Sequence, residues 1–134
     1  MSEDDTRAEL IEPKLKESGW GVVENSRVRR NFPITLGRIQ GSGKRAQPLF
    51  ADFVLEFNGR KLAVIEAKKS SLNVGEGVAQ AKEYAKKLQI DFTFATNGKE
   101  IYQIDMVTGK EKSVKSFPTP QEVWDKKFRI QNEW

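Results

Sequence analysis

Residues 51–69, ADFVLEFNGRKLAVIEAKK, constrain this chain more than any other stretch. Asn58-Gly59 is a strong turn signal between two strand-like runs. Phe53, Leu55 and Phe57 alternate with Asp52, Val54 and Glu56, and Ala63, Ile65 and Ala67 alternate with Val64, Glu66 and Lys68. Alternation by two sends successive side chains to opposite faces. Two registers compete. A two-residue loop at Asn58-Gly59 pairs Phe57 with Arg60 and sets Asp52 opposite Ile65. A three-residue loop, Asn58-Gly59-Arg60, pairs Phe57 with Lys61 and sets Asp52 opposite Glu66, Val54 opposite Val64 and Phe53 opposite Ile65. The second register matches apolar with apolar on one face and gathers Asp52, Glu66 and Lys68 on the other. A one-residue slip reverses every side chain, so the pattern selects the longer loop or an equivalent bulge.

Carboxylates placed directly opposite one another repel unless something compensates. A divalent cation or Lys68 would do so. The plainer reading is a solvated strand end, but Leu62, Ala63, Val64 and Ile65 are a continuous apolar run that implies a strand buried on both faces. Charges emerging at the end of such a strand need a reason. Two carboxylates and a lysine are the minimum equipment for metal-assisted cleavage of a phosphodiester. The carboxylates hold a hard cation through oxygen, the cation polarises the phosphate and acidifies its water, and the lysine offsets charge developing on phosphorus.

Composition narrows the chemistry. The chain has 134 residues, enough for a single domain, 1–134, with a real core. It contains no cysteine and no histidine. That excludes a disulfide framework, a thiolate zinc site and a histidine base or ligand. Any metal is bound by oxygen, which points to Mg²⁺, with Mn²⁺ as a substitute. No apolar run reaches membrane-spanning length and no signal peptide precedes the acidic start, so the chain reads as cytoplasmic. The net charge is +4, unevenly spread. The first 25 residues are net acidic, whereas residues 26–50 carry Arg27, Arg29, Arg30, Arg38, Lys44 and Arg45 and no acid. A basic segment ahead of a metal site suits a polyanion. Around Gly41 to Arg45 a solvated loop is an equally simple reading, while Arg27, Arg29 and Arg30 are better placed to contact phosphate.

Thr6-Arg7-Ala8-Glu9 reads as a capping box opening a helix with Leu10, Ile11 and Leu15, kinked or broken at Pro13 and stopped at Ser18-Gly19. Trp20 to Glu24 and Val28 to Phe32 are short strand candidates, and residues 33–48 a loop. Gly41-Ser42-Gly43-Lys44 is not a phosphate loop: the earlier glycine is missing, Arg45 replaces Ser/Thr and no helix pattern follows. Residues 75–89 predict a helix with Val78, Ala81, Ala85 and Leu88 as its apolar stripe and Gln80, Tyr84 and Lys87 on an adjoining face. Asp91 to Thr96 reads as a buried strand, and Glu100 to Met106 and Lys112 to Phe117 as a sheet edge. Thr119-Pro120-Gln121-Glu122 opens a last helix with threonine at N-cap, proline at N1 and a capping-box glutamate. The order predicts an α/β or α+β sandwich with no internal repeat.

Asp52, Glu66-x-Lys68 and Gln80-x-x-x-Tyr84 together resemble the PD-(D/E)XK nuclease superfamily. More narrowly, the chain is similar to the N-terminal nuclease domain of the restriction subunit of type I restriction–modification enzymes. The Gly19-Trp20 helix end and the strand ending Ala95-Thr96-Asn97-Gly98 belong to the same resemblance, which covers most of residues 6–125. Ala51-Asp52 stands in place of proline-aspartate, with Pro48 three residues earlier, so the departure falls on no ligand.

The resemblance implies a restriction-endonuclease-like α/β fold with a central mixed sheet flanked by helices. Asp52, Glu66 and the Ala67 carbonyl are then Mg²⁺ ligands. Lys68 orients the attacking water, and Gln80 and Tyr84, at i and i+4 on one helix face, border the centre. Core packing is the alternative for Tyr84, and simple exposure for Gln80. Glu9 has two readings that do not exclude each other, a capping residue and an acidic group of the first helix approaching the metal. The resemblance further implies an N-terminal fragment of a longer chain, with a helicase-type translocase in cis that alone uses ATP. Its expected partners are double-stranded DNA and the modification and specificity subunits. A stand-alone resolvase or repair nuclease, and a DNA-binding or docking module of the same fold that does not cut, are the rival readings.

Overall fold

The hairpin forms the centre of a six-stranded sheet in the order β1-β2-β3-β4-β5-β6, in a computed structural model that describes residues 2–35 and 49–132. The strands are β1 (Ser26–Thr35), β2 (Leu49–Phe57), β3 (Arg60–Ala67), β4 (Phe92–Thr96), β5 (Ile101–Asp105) and β6 (Glu111–Val114). All neighbours are antiparallel except β3 and β4, which are parallel. A parallel pair needs a crossover. Here it is a 3₁₀ turn, Val74–Gly77, running into a helix, Val78–Leu88.

The hairpin register combines features of both predicted alternatives. Phe57 pairs with Arg60 across a two-residue turn, not with Lys61, yet Phe53 faces Ile65 and Val54 faces Val64. The register shifts between Leu55, opposite Ala63, and Glu56, opposite Lys61, which leaves Leu62 as the extra residue of a bulge. Asn58 (φ 51°) and Gly59 (φ 78°) take the positive φ values that such a tight turn demands. The bulge therefore does what the longer loop was expected to do. It also turns Leu62 and Ala63 into the same buried apolar cluster.

One continuous helix precedes the sheet: α1 (Glu3–Thr6), a π-helical turn (Arg7–Ile11) and α2 (Glu12–Glu17). Its cap is Ser2, whose side chain accepts from the Asp5 amide at 3.1 Å. The capping box expected at Thr6 does not form. Ser2 caps the chain one turn earlier, and Thr6 lies fully buried in the helix, donating its hydroxyl to the Ser2 carbonyl and accepting from the Ser70 amide. Pro13 is the second residue of α2, directly after the π-helical turn in which the Glu12 amide reaches back to the Arg7 carbonyl, and the helix passes through it without a break. Trp20 to Glu24 is a run of turns rather than a strand. Gly19, Gly21 and Asn25 all have positive φ there, and the Ser26 hydroxyl accepts from the Gly21 amide and donates to the Val23 carbonyl. β1 is an edge strand, the position in a sheet where a proline such as Pro33 is tolerated.

Helices cover both faces. Ile11, Leu15 and Trp20 pack with Phe53, Leu55, Phe94 and Val123 on one side, joined there by the last helix, α4 (Pro120–Asn132). On the other, Tyr84 and Ala85 of α3 (Val78–Leu88) pack on Ala51, Val54 and Val64. The predicted cap of α4 is present: the Thr119 hydroxyl accepts from the Glu122 amide at 3.1 Å, and the Glu122 carboxylate accepts from the Thr119 amide at 2.9 Å. The result is the expected mixed α/β sheet flanked by helices. Among the described residues no helix is long and apolar enough to cross a membrane.

Candidate active site

The bulged register brings the two acids of the hairpin together at the end of β2 and β3. Oε1 of Glu66 accepts from the Asp52 amide at 3.2 Å, and Oδ2 of Asp52 accepts from the Ala67 amide at 2.8 Å. Both contacts follow from strand pairing, because each acid bonds to the backbone of the opposite strand. Glu66 is only 3% exposed. Burial, and then the charge of Asp52, push its carboxyl up to about 8, opposed by the Asp52 amide and by the charge of Lys68. Burial and crowding of this kind are relieved by a cation. Two carboxylates plus the Ala67 carbonyl are hard oxygen donors that fit Mg²⁺ or Mn²⁺.

Lys68 leaves β3 with its amide bonded to the Thr96 carbonyl of β4 at 2.8 Å. Its aliphatic stem passes over Gly77: a Cβ on Gly77 would lie 3.2 Å from Lys68 Cγ. The glycine at the entry of α3 therefore makes room for the lysine. Further along α3, Gln80 donates its amide to the Tyr84 hydroxyl at 2.6 Å. The tyrosine ring is 4% exposed and packs with Val54 and Val64, the neighbours of the two acids on their own strands. Tyr84 is thus a core aromatic whose polar end holds Gln80 beside the same face of the sheet.

The first helix contributes an arginine where an acid was anticipated. Glu9 is exposed, and among the described residues no group of three acidic or other metal-ligating side chains gathers. Instead Arg7 donates from Nη1 to Asp52 Oδ1 at 2.7 Å and to Asn31 Oδ1 at 3.2 Å, and pairs through Nη2 with Asp4. Partial burial opposes its charge, but Asp4 and Asp52 outweigh that and raise its pKa. Asn31 sits between Arg30, opposite Phe53, and Phe32, opposite Ala51, so it lies across from Asp52 with φ 50°. That left-handed conformation is one asparagine tolerates better than most residues. Sequence reasoning missed Arg7 and Asn31. The available signals were a lone arginine in an acidic first turn and a polar residue interrupting a strand.

Arg27, Arg29 and Arg30 are exposed on edge strand β1. Arg29 pairs with Glu56 and Arg30 with Glu12, so alternation divides these two between the faces of the sheet. Arg38, Lys44 and Arg45 lie outside the described residues.

A family profile described as the type I restriction enzyme R protein N terminus matches residues 22–118. The chain belongs to this family. The R-protein match encloses Asp52, Glu66, Lys68, Gln80 and Tyr84, and begins after the helix that carries Arg7. The chain is 32% identical over 136 residues to the type I restriction enzyme EcoAI endonuclease subunit of Escherichia coli, covering 94% of this chain and 16% of that protein. It also superimposes, with TM-score 0.91 and 37% identity, on a fragment structure described as the HsdR subunit of a type I restriction enzyme from Vibrio vulnificus YJ016. That match covers 100% of this chain and 27% of the other. The chain thus spans 16% and 27% of the R-protein relatives it matches.

Proposed function

We propose that this R-protein N-terminal chain is the Mg²⁺-dependent nuclease domain of a type I restriction enzyme, hydrolysing DNA phosphodiester bonds. The observation that carries the reading is the pairing of Asp52 with a deeply buried Glu66 at the strand end from which Lys68 emerges. An E. coli relative described as an endonuclease subunit supports it. Asp52, Glu66 and the Ala67 carbonyl would hold the cation, which supplies Lewis-acid chemistry on phosphate and water. Lys68, its stem held over Gly77, orients the attacking water and offsets charge on the phosphorane. Gln80, fixed by Tyr84, borders the reacting centre. The exposed Arg27, together with Arg38, Lys44 and Arg45, supplies charge for the DNA backbone, with Arg29 and Arg30 available once released from their acids. DNA translocation by ATP-driven domains in cis, and site recognition by partner modification and specificity subunits, complete the system.

The Arg7–Asp52 ion pair is the observation favouring a second reading, a DNA-binding module that does not cut, because it neutralises one acid without a metal. Cleavage by the assembled enzyme decides between them. Glu66→Ala and Lys68→Ala are expected to abolish cutting while DNA-stimulated ATP hydrolysis stays near wild type, and Lys68→Ala is expected to leave the melting temperature of this domain near wild type as well. Full cleavage by Lys68→Ala would overturn the assignment. Mn²⁺-induced broadening of the Ala67 and Lys68 amide resonances, lost in Glu66→Ala, tests the metal site apart from the motor.

A further inference from the structure

We propose that Arg7 is a latch on the metal-binding carboxylate: its guanidinium holds Asp52 while no divalent cation is bound and is displaced from it when one enters. The inference rests on the reading that Asp52 and Glu66 are the cation ligands, and it concerns how that site is kept closed.

The two oxygens of Asp52 have different partners. Oδ2 accepts from the Ala67 amide at 2.8 Å, a bond built into the pairing of β2 with β3. Oδ1 is the oxygen left for a cation, and it is the one that Arg7 occupies at 2.7 Å. A divalent ion and a guanidinium compete for the same lone pairs, so each weakens the other by the same factor. The pair is only partly shielded, with side-chain exposures of 21% for Arg7 and 12% for Asp52, so a cation can reach it.

Release also leaves the arginine provided for. Nη1 is shared with Asn31 Oδ1 at 3.2 Å, and Nη2 pairs with Asp4. The guanidinium can give up Asp52 and keep those acceptors, so displacement strands no buried charge. Asn31 needs a left-handed backbone (φ 50°) to stand opposite Asp52. Arg7 opens the π-helical turn Arg7–Ile11, an irregularity that recurs at functional sites. Two uncommon backbone features thus converge on one ion pair.

The test is Mn²⁺ binding to this 134-residue chain by electron paramagnetic resonance, with Arg7→Gln and Glu66→Ala as variants. It is joined by nitrogen-resolved NMR of the Arg7 guanidinium during Mg²⁺ titration of the unsubstituted protein. Arg7→Gln is expected to bind Mn²⁺ about tenfold more tightly, the size of one charge-assisted hydrogen bond removed from competition. Removing a positive charge beside the site also tightens cation binding without any latch, so the guanidinium resonances are what separate displacement from simple repulsion. The Arg7 guanidinium resonances are expected to move with the same midpoint as the Ala67 amide. Equal or weaker Mn²⁺ binding by a folded Arg7→Gln overturns the latch. So does a guanidinium signal that stays fixed while Ala67 shifts, which would mean the cation enters beside an intact pair. If Arg7→Gln fails to fold, the NMR arm decides alone. Wild-type affinity in Glu66→Ala is a different failure: it would place the cation elsewhere and remove the nuclease-site reading together with the latch.

Discussion

At Glu66 a carboxyl group only 3% exposed lies against Asp52, and its pKa of about 8 stands far above the usual 4.5. Between those values the folded chain keeps a proton that the unfolded chain has released, so stability falls as pH rises through that interval. Without divalent cation, the melting temperature is expected to drop between about pH 5 and about pH 8, and the drop to flatten in Glu66→Gln. An equal slope in the variant would show that another group titrates. Mg²⁺ is expected to restore most stability at the upper end of the range and to release protons on binding. Asp52, Glu66 and Lys68 were legible in the sequence, because alternation along a buried strand assigns faces without knowledge of the rest of the fold. Arg7 and Asn31 were not, since they meet Asp52 only through the docking of the first helix and of β1 on β2.

Local signals at the element scale succeeded where nothing nearby competed. The Thr119 cap formed as read, whereas the same logic at Thr6 lost to Ser2 one turn earlier. In the hairpin, the turn dipeptide and the apolar pattern demanded different residue counts, and the Leu62 bulge satisfied both. Gly77 had no role visible in the sequence. With φ −93° it is not needed for its backbone, and its value is the space it leaves under Lys68. Gly77→Ala is therefore expected to change stability by less than about 1 kcal/mol, while cleavage by the assembled enzyme falls at least tenfold because Lys68 is pushed aside. A loss of stability in proportion to the loss of cleavage, read by urea titration, would contradict this.

Across the whole molecule, the first and last helices share one face of the sheet and are tied there by Trp20. Its ring is 2% exposed and its indole N–H donates to the Pro118 carbonyl at 2.8 Å, across most of the chain length. Trp20→Ala is expected to cost about 3–5 kcal/mol, for a cavity plus an unpaired carbonyl. Denaturant unfolding of the wild type should remain a single transition by fluorescence and circular dichroism. A cost under about 1 kcal/mol would mean that the two helices are not coupled through this residue. The same docking carries Arg7 to Asp52, so Trp20 variants that still fold are expected to loosen the latch as well.

What the sequence by itself determined here is the set of features with short range: the strand–turn–strand of β2 and β3, the burial of β3 on both faces, and which charges emerge together at its end. These depend on alternation, turn residues and caps within a few positions of one another. Only the tertiary structure decided that a bulge rather than a longer loop sets the register. The same is true of the arginine of the first helix closing on Asp52, and of Arg29 and Arg30 facing different sides of an edge strand. Those outcomes come from packing helices and strands distant in sequence against one another, where side-chain volume and charge pairing across elements settle choices that local pattern leaves open.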